Sequence, residues 1–249
     1  MKIAIISDIH EDIIHLTAAL KMIEKQRVDQ LVCLGDISGY SVPYYNHLDT
    51  RNAHECLQLI RSNCSYVVLG NHDIHAAGII PENSPFFEYP SNWYQLDYQE
   101  RKKMASGKIW LHEENDMDPL YTREDIEYIR SLPEYVVLSA AMGNILLSHY
   151  VYPNLSGIGK TFFTYSDEFR KHSDFTRQKN CRLSFFGHTH TTGFLKVMHK
   201  KTRKYGFGKV AAISEDHAIS VPSIALNGRR NGFCVFDGEE RTLQSFSIY

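Results

Sequence analysis

Short apolar runs, each leading into a cluster of polar residues, recur along this 249-residue chain. IAIIS at 3–7 is β-branched, has the length of one buried strand, and runs into SDIH at 7–10. EDIIHLTAALKMIEKQ comes next and sets Ile13, Leu16, Leu20 and Ile23 at helical spacing. DQLVCLGD reads as a second buried strand ending at Asp36, and residues 52–62, with Leu57, Leu59 and Ile60, as a second helix. SYVVLGNHD gives a third strand that stops just before Asn71. Alternation of this kind predicts an α/β fold with a parallel sheet covered by helices.

Residues 76–118 break the pattern with PENSP, YPSNWYQ and RKK, many aromatics and little period. The stretch is too long for a simple connection. It is expected to be an insertion with its own helix, or a cap over the site, within one domain spanning 1–249. Its aromatic residues (Phe86, Phe87, Tyr89, Trp93, Tyr94 and Tyr98) are expected to pack on one another, the alternative being that they stack on a nucleobase or roof a pocket. At 121–133, Thr122 caps a helix with Asp125 three residues on, and Pro133 stops it. YVVLSA, NILLSHY and RLSFFGHTH then read as strands, with a polar helical stretch at 164–179. From 193 onward GFLKVMHK, KVAAISED, HAISVPSIA and NGFCVFDGEERTLQSFSIY are short strands and turns, DGEE marking a hairpin.

Composition changes this picture little: 43% hydrophobic and 22% charged is ordinary for one sizeable globular domain. A net charge of -2 supplies no basic field for nucleic acid. No run approaches the roughly 20 apolar residues that cross a bilayer, so no membrane association is expected. MKIAIISD resembles a signal peptide only until its four apolar residues end, and it reads as a first strand; a cytoplasmic location is the default expectation. The five cysteines are odd in number, widely spaced and without a CxxC pair, which predicts free structural thiols in a reducing compartment.

The candidate chemistry sits at the ends of the strands. SDIH at 7–10, Gly35 with Asp36, GNHD at 70–73, His149 after ILLS, and GHTH at 187–190 all stand there. Loops at the carboxyl ends of strands form the site crevice of an open α/β sheet. Taken singly, each piece has an ordinary reading: a helix cap, a turn, a half-buried imidazole. Together they deliver carboxylate, imidazole and amide groups from five segments to one edge. Such mixed oxygen and nitrogen donors suit divalent metals, and a carboxylate such as Asp36 can bridge two ions. Gly35, Gly70 and Gly187 would let the chain approach the ions without a Cβ in the way.

In this combination the chain resembles the calcineurin-like metallophosphoesterases, from SDIH through GDISGY at 35–40, GNHD and SHY at 148–150 to GHTH. The resemblance implies a four-layer α/β/β/α sandwich with two mixed sheets. It implies that Asp8, His10 and His190 hold one metal, that Asn71, His149 and His188 hold a second, and that Asp36 bridges. It further implies that His72 contacts the phosphate with Asp73 as its orienting partner (a helix-start cap being the plain alternative for Asp73), and that a metal-activated water attacks phosphorus. The two divalent ions would be manganese, iron or zinc.

Small bacterial and archaeal phosphodiesterase-like members are the nearest in pattern. Serine/threonine protein phosphatases and their diadenosine-tetraphosphatase relatives carry GDxxDRG and RGNHE, whereas this chain has GDISGYS and LGNHD. Without those arginines a phosphomonoester dianion loses its clamp, which favours a small or nucleotide-like phosphodiester as substrate. A phosphomonoesterase using the same ions is the alternative; a noncatalytic binding protein that kept the fold is disfavoured because no ligand is missing. VPSIALNGRR at 221–230 departs from the NPGSVG-like loop of related small proteins, and its Arg229 and Arg230 are either phosphate contacts or part of a solvated turn. Tyr40, His47 and Lys160 lie near the motifs without an assigned role.

Overall fold

The computed structural model describes residues 1–160, 167–198, 201–214, 217–228 and 230–248. In chain order the strands are β1 (Lys2–Ile6), β2 (Gln30–Cys33), β3 (Tyr40–Ser41), β4 (Tyr66–Val67), β5 (Asp116–Met117), β6 (Tyr135–Leu138) and β7 (Asn144–Ser148). They continue with β8 (Cys181–Phe186), β9 (Phe194–Met198), β10 (Lys201–Tyr205), β11 (Val210–Ala212), β12 (His217–Ser220), β13 (Gly232–Asp237) and β14 (Thr242–Ser247). The helices are α1 (Ile13–Glu24), α2 (Ala53–Asn63), α3 (Asn71–Ala76), α4 (Tyr98–Ala105), α5 (Arg123–Arg130) and α6 (Asp167–Gln178).

Two six-stranded sheets carry the fold, ordered β11-β14-β13-β1-β2-β4 and β10-β9-β12-β8-β7-β6. Both are mixed: β1, β2 and β4 run parallel in the first, and β7, β8 and β12 in the second, with antiparallel strands outside them. The two-residue side-chain period of a strand decides which layer each residue fills. Ile3 and Ile5 of β1 face Leu147, Leu183 and Phe185 of the other sheet, while Ala4 and Ile6 point outward to Leu16, Ala19 and Leu57 of α1 and α2. On the second sheet Ile145 and Leu147 fill the central layer, and Leu146 turns outward to Phe175 of α6. The architecture is therefore the helix–sheet–sheet–helix sandwich of the metallophosphoesterase fold.

Local chemistry sets the helix starts. Asp12 accepts from the His15 amide to cap α1, Asn52 accepts from the Glu55 amide to cap α2, and Thr122 and Asp125 exchange side-chain and backbone bonds at the start of α5. In the 76–118 stretch Phe87, Tyr89 and Trp93 meet edge to face at ring-centroid distances of 4.7–5.3 Å, and Phe87 and Trp93 join the same hydrophobic core as α1 and α2. These three aromatics are occupied in self-packing. The same stretch returns to the body of the protein twice, through β5 pairing antiparallel with β3 and through a bridge from Ile109 to Gly159. All five cysteines are free. No helix among the described residues is long and apolar enough to cross a membrane.

Candidate metal centre

The expected site residues converge at the carboxyl ends of β1, β2, β4, β7 and β8. Asp8, His10, Asp36, Asn71 and His149 are each no more than 2% exposed, and His72, His188 and His190 are half-buried at the edge of the group. The turns that place them are strained. Of the nine non-glycine residues with positive φ among the described residues, six are Asp8, His10, Glu11, Asp36, His188 and His190. Left-handed backbone costs a residue with a Cβ roughly 1–2 kcal/mol, and strain concentrated in this way marks a site the rest of the fold must hold in place.

Two glycines bring the first two loops together. Gly35 has φ +90, and a Cβ on it would lie 2.5 Å from the Gly70 nitrogen; a Cβ on Gly70 would lie 2.1 Å from Asp36 Oδ1. The Asp36 loop is then tied to the start of α3 by Asp73, whose carboxylate accepts from the backbone N–H groups of Asp36, Ile37, Ser38 and Gly70 at 2.8–3.1 Å. Asp73 thus acts as a helix-start cap extended to a neighbouring loop. It is not the orienting partner of the His72 ring, because its oxygens are committed to backbone. That partner is Asp116 of β5, whose Oδ2 accepts from His72 Nδ1 at 2.5 Å.

The imidazoles are fixed by the nitrogen that faces away from the centre. His10 Nδ1 donates to the Gly39 carbonyl at 3.0 Å and His149 Nδ1 to the Leu34 carbonyl at 2.7 Å. Each bond leaves Nε2 as the ring atom that points into the site. His190 Nδ1 meets the side-chain amide of Asn227 at 2.9 Å. The inward atoms lie close: His10 Nε2 to His190 Nε2 3.3 Å, His190 Nε2 to Asp8 Oδ1 3.2 Å, His149 Nε2 to Asp36 Oδ2 3.1 Å, and His149 Nε2 to His188 Nδ1 3.2 Å. Neighbouring ligands on a cation with bonds of about 2.1 Å stand roughly 3.0–3.4 Å apart. Asp8 with His10 and His190, and Asp36 with His149 and His188, can each hold a metal ion.

The site chemistry agrees with that use. Asn71 Oδ1 is buried and accepts no hydrogen bond, a destabilising arrangement unless a cation is its partner. Beside it Gly157 leaves room, since a Cβ there would lie 2.9 Å from Asn71 Oδ1 and 2.8 Å from His188 Nδ1. Burial, helped by the neighbouring His149, pushes His188 down to about 3, and burial with His72 beside it does the same to His10. Burial thus favours the neutral form of both rings, the form in which an imidazole ligates a metal. Burial opposes charge on Asp36, yet His149 and His72 hold its carboxyl well below the usual range. Burial likewise opposes charge on His72, and Asp36 and then Asp116 raise it to about 9.

A family model for the calcineurin-like phosphoesterases matches residues 1–192. The chain belongs to that family. It is 30% identical over 190 residues to an uncharacterized protein of Methanocaldococcus jannaschii, a match covering 76% of this chain and 62% of that one. The matched region of this chain therefore spans less than two thirds of that relative. A crystal structure of a metallophosphoesterase from Sphaerobacter thermophilus superposes with a TM-score of 0.65 at 22% identity, covering 100% of this chain and 88% of that one. A hypothetical protein from Pyrococcus horikoshii OT3 does so with a TM-score of 0.57 at 17% identity, covering 99% and 87%. At these identities the likeness is one of fold.

Several residues of this chain near the site have other partners. Tyr40 donates to the Tyr45 carbonyl, His47 Nε2 donates to the His10 carbonyl, and Lys160 stands 5.0 Å over the Trp110 ring. Arg230 is exposed with its guanidinium 5.6 Å over Phe207, and Arg229 lies outside the described residues. Within the same loop it is Asn227 that reaches a site histidine. The motifs of the sequence also miss His112, Asp116 and Gly157. The His112–Asp116 spacing of four is the one signal there, inside a stretch whose period gives no frame for it.

Proposed function

We propose that this protein hydrolyses a phosphate ester, most readily a small or nucleotide-like phosphodiester, at a centre of two divalent ions. Asp8, His10 and His190 would hold one ion and Asn71, His149 and His188 the other, with Asp36 shared; manganese, iron and zinc suit these donors. Two such ions neutralise phosphate oxygens and lower the pKa of water toward neutrality. The observation that carries this reading is the convergence of inward-facing donor atoms, at cation-ligand spacings, on either side of one carboxylate.

His72 supplies the acid. Its Nδ1–H donates to Asp116, so its other nitrogen is the one left to donate to the oxygen of the departing group. The diester preference rests on the missing motif arginines and on where three of the described arginines go. Arg51 pairs with Glu11 at 2.9 Å and donates to the Asp118 carbonyl, Arg101 pairs with Glu113, and Arg130 donates to the Ala77 carbonyl. Each is engaged away from the centre, where a phosphomonoester dianion would need it. The test is hydrolysis of bis-p-nitrophenyl phosphate beside p-nitrophenyl phosphate by chelated protein reloaded with manganese. Faster turnover of the diester is expected; faster turnover of the monoester would make the protein a phosphatase.

A further inference from the structure

The 76–118 stretch contributes more than aromatic packing, because His112 and Asp116 sit among the site residues. Asn71 Nδ2 and His112 Nε2 are 3.2 Å apart, both buried. His112 Nδ1 is in turn 3.7 Å from Asp116 Oδ2, the atom that accepts from His72. An asparagine amide can be turned either way, and only one way offers an oxygen to a cation. With Oδ1 turned toward Gly157 and His188, Nδ2 must donate outward, and the acceptor there is His112 Nε2.

We infer that His112 is a positioning residue for the second metal site, holding the Asn71 amide so that its oxygen faces the ion. This deepens the two-ion reading and rests on it. An imidazole that accepts at Nε2 carries its proton at Nδ1, and Asp116 is the group that faces that proton. His112 thus accepts from Asn71 and Asp116 accepts from His72, with His112 Nδ1 3.7 Å from Asp116 Oδ2, so the stretch that supplies His112 and Asp116 sets both a ligand and the acid. His72, His112 and Asp116 also stand close enough together to be taken for a third metal site. The bonding argues against it: Nε2 of His112 accepts from Asn71, Nδ1 of His112 is protonated, and Nδ1 of His72 donates to Asp116. None of these nitrogens has a lone pair left.

The experiment titrates MnCl2 calorimetrically into the chelated protein, as wild type, His112→Leu and His112→Gln, with circular dichroism and thermal unfolding confirming the fold. The wild type is expected to bind two ions. In His112→Leu one of the two events should weaken roughly 10- to 100-fold, the usual cost of losing a residue that orients a ligand. His112→Gln, whose side-chain carbonyl can accept from Asn71, should recover most of that loss. Unchanged binding in His112→Leu, or equal loss in two folded variants, would overturn the inference. So would a third ion in the wild type that disappears with His112. A wild type that takes up no second ion would remove the two-ion reading and this one with it, and the wild-type trace alone tells that case apart. Should His112→Leu not fold, the nitrogen-15 spectrum of wild-type His112 decides: a proton on Nδ1 supports the assignment and a proton on Nε2 overturns it.

Discussion

At the scale of single residues, the centre depends as much on missing side-chain atoms as on ligands. Gly157 makes no bond to the site, yet its bare Cα keeps Asn71 Oδ1 and His188 Nδ1 open. Its φ of +80 adds backbone strain to any replacement, of roughly 1–2 kcal/mol. Gly157→Ala should therefore fold with slightly lower stability and bind the second ion roughly 10- to 100-fold more weakly, by analogy with other residues that bound a metal site. Manganese counted per chain after gel filtration checks this; two ions held as in the wild type would show the space to be idle. The proposed ligands are legible in the sequence because each stands after a strand-like run in a short motif. Gly157, His112, Asp116 and Asn227 are not, because their roles arise where separate segments meet: no local spacing records that loop 149–160 lies over Asn71.

At the scale of elements, sequence is most legible where burial imposes a period. The apolar runs of β1, β2 and β13 and the capped helices α1, α2 and α5 emerge directly from their sequences. The polar strand β10, KTRKY, carries no such period: it is an edge strand, mostly exposed, held by its ladder to β9 and by stacking of Tyr205 on Phe194. The two-residue strands β3 and β5 are too short to show any pattern. Helix α6 adds a pH dependence of its own. His172 accepts from the Tyr152 amide at 3.0 Å and meets Ser184 Oγ at 2.9 Å, and burial pushes it from its ordinary value of 6.5 down to about 3. Below pH 6.5 the unfolded chain takes up a proton there that the folded protein refuses. Stability at this residue is thus full above pH 6.5 and falls with acid toward pH 3, by up to about 1.4 kcal/mol per pH unit. His172→Gln, which can keep both hydrogen bonds, should flatten that slope in urea unfolding between pH 6.5 and 4. An unchanged slope would assign the acid sensitivity to other groups.

At the scale of the whole molecule, the centre joins the two halves of the sandwich. Asp8, His10, Asp36 and Asn71 come from loops of the first sheet, and His149, His188 and His190 from loops of the second. Ions held between them would cross-link the sheets in the folded state only. Each ion present at about 100 times its dissociation constant stabilises by about 2.7 kcal/mol, worth roughly 5–10 °C in Tm for a domain of this size. Chelation should lower Tm by at least that amount in a single transition, and manganese should restore it; a Tm indifferent to both would mean that the sheets are not bridged. The sandwich as a whole is only half legible from the chain's own pattern, which yields the parallel core and a strand-rich second half. The pairing of two separate sheets depends on outward and inward alternation across strands far apart in sequence, and the family resemblance supplies what periodicity cannot.

Asp36 lies at the midpoint of all three scales: a buried carboxylate, at a strained strand end, proposed to be shared between the two ligand sets. The most direct measurement is the manganese-dependent hydrolysis of bis-p-nitrophenyl phosphate by chelated wild type and by Asp36→Asn, both shown to be folded. Turnover that manganese restores to the wild type and that stays at background in the variant is the expected result. Near-normal turnover by Asp36→Asn would contradict a shared two-ion centre as the source of the activity.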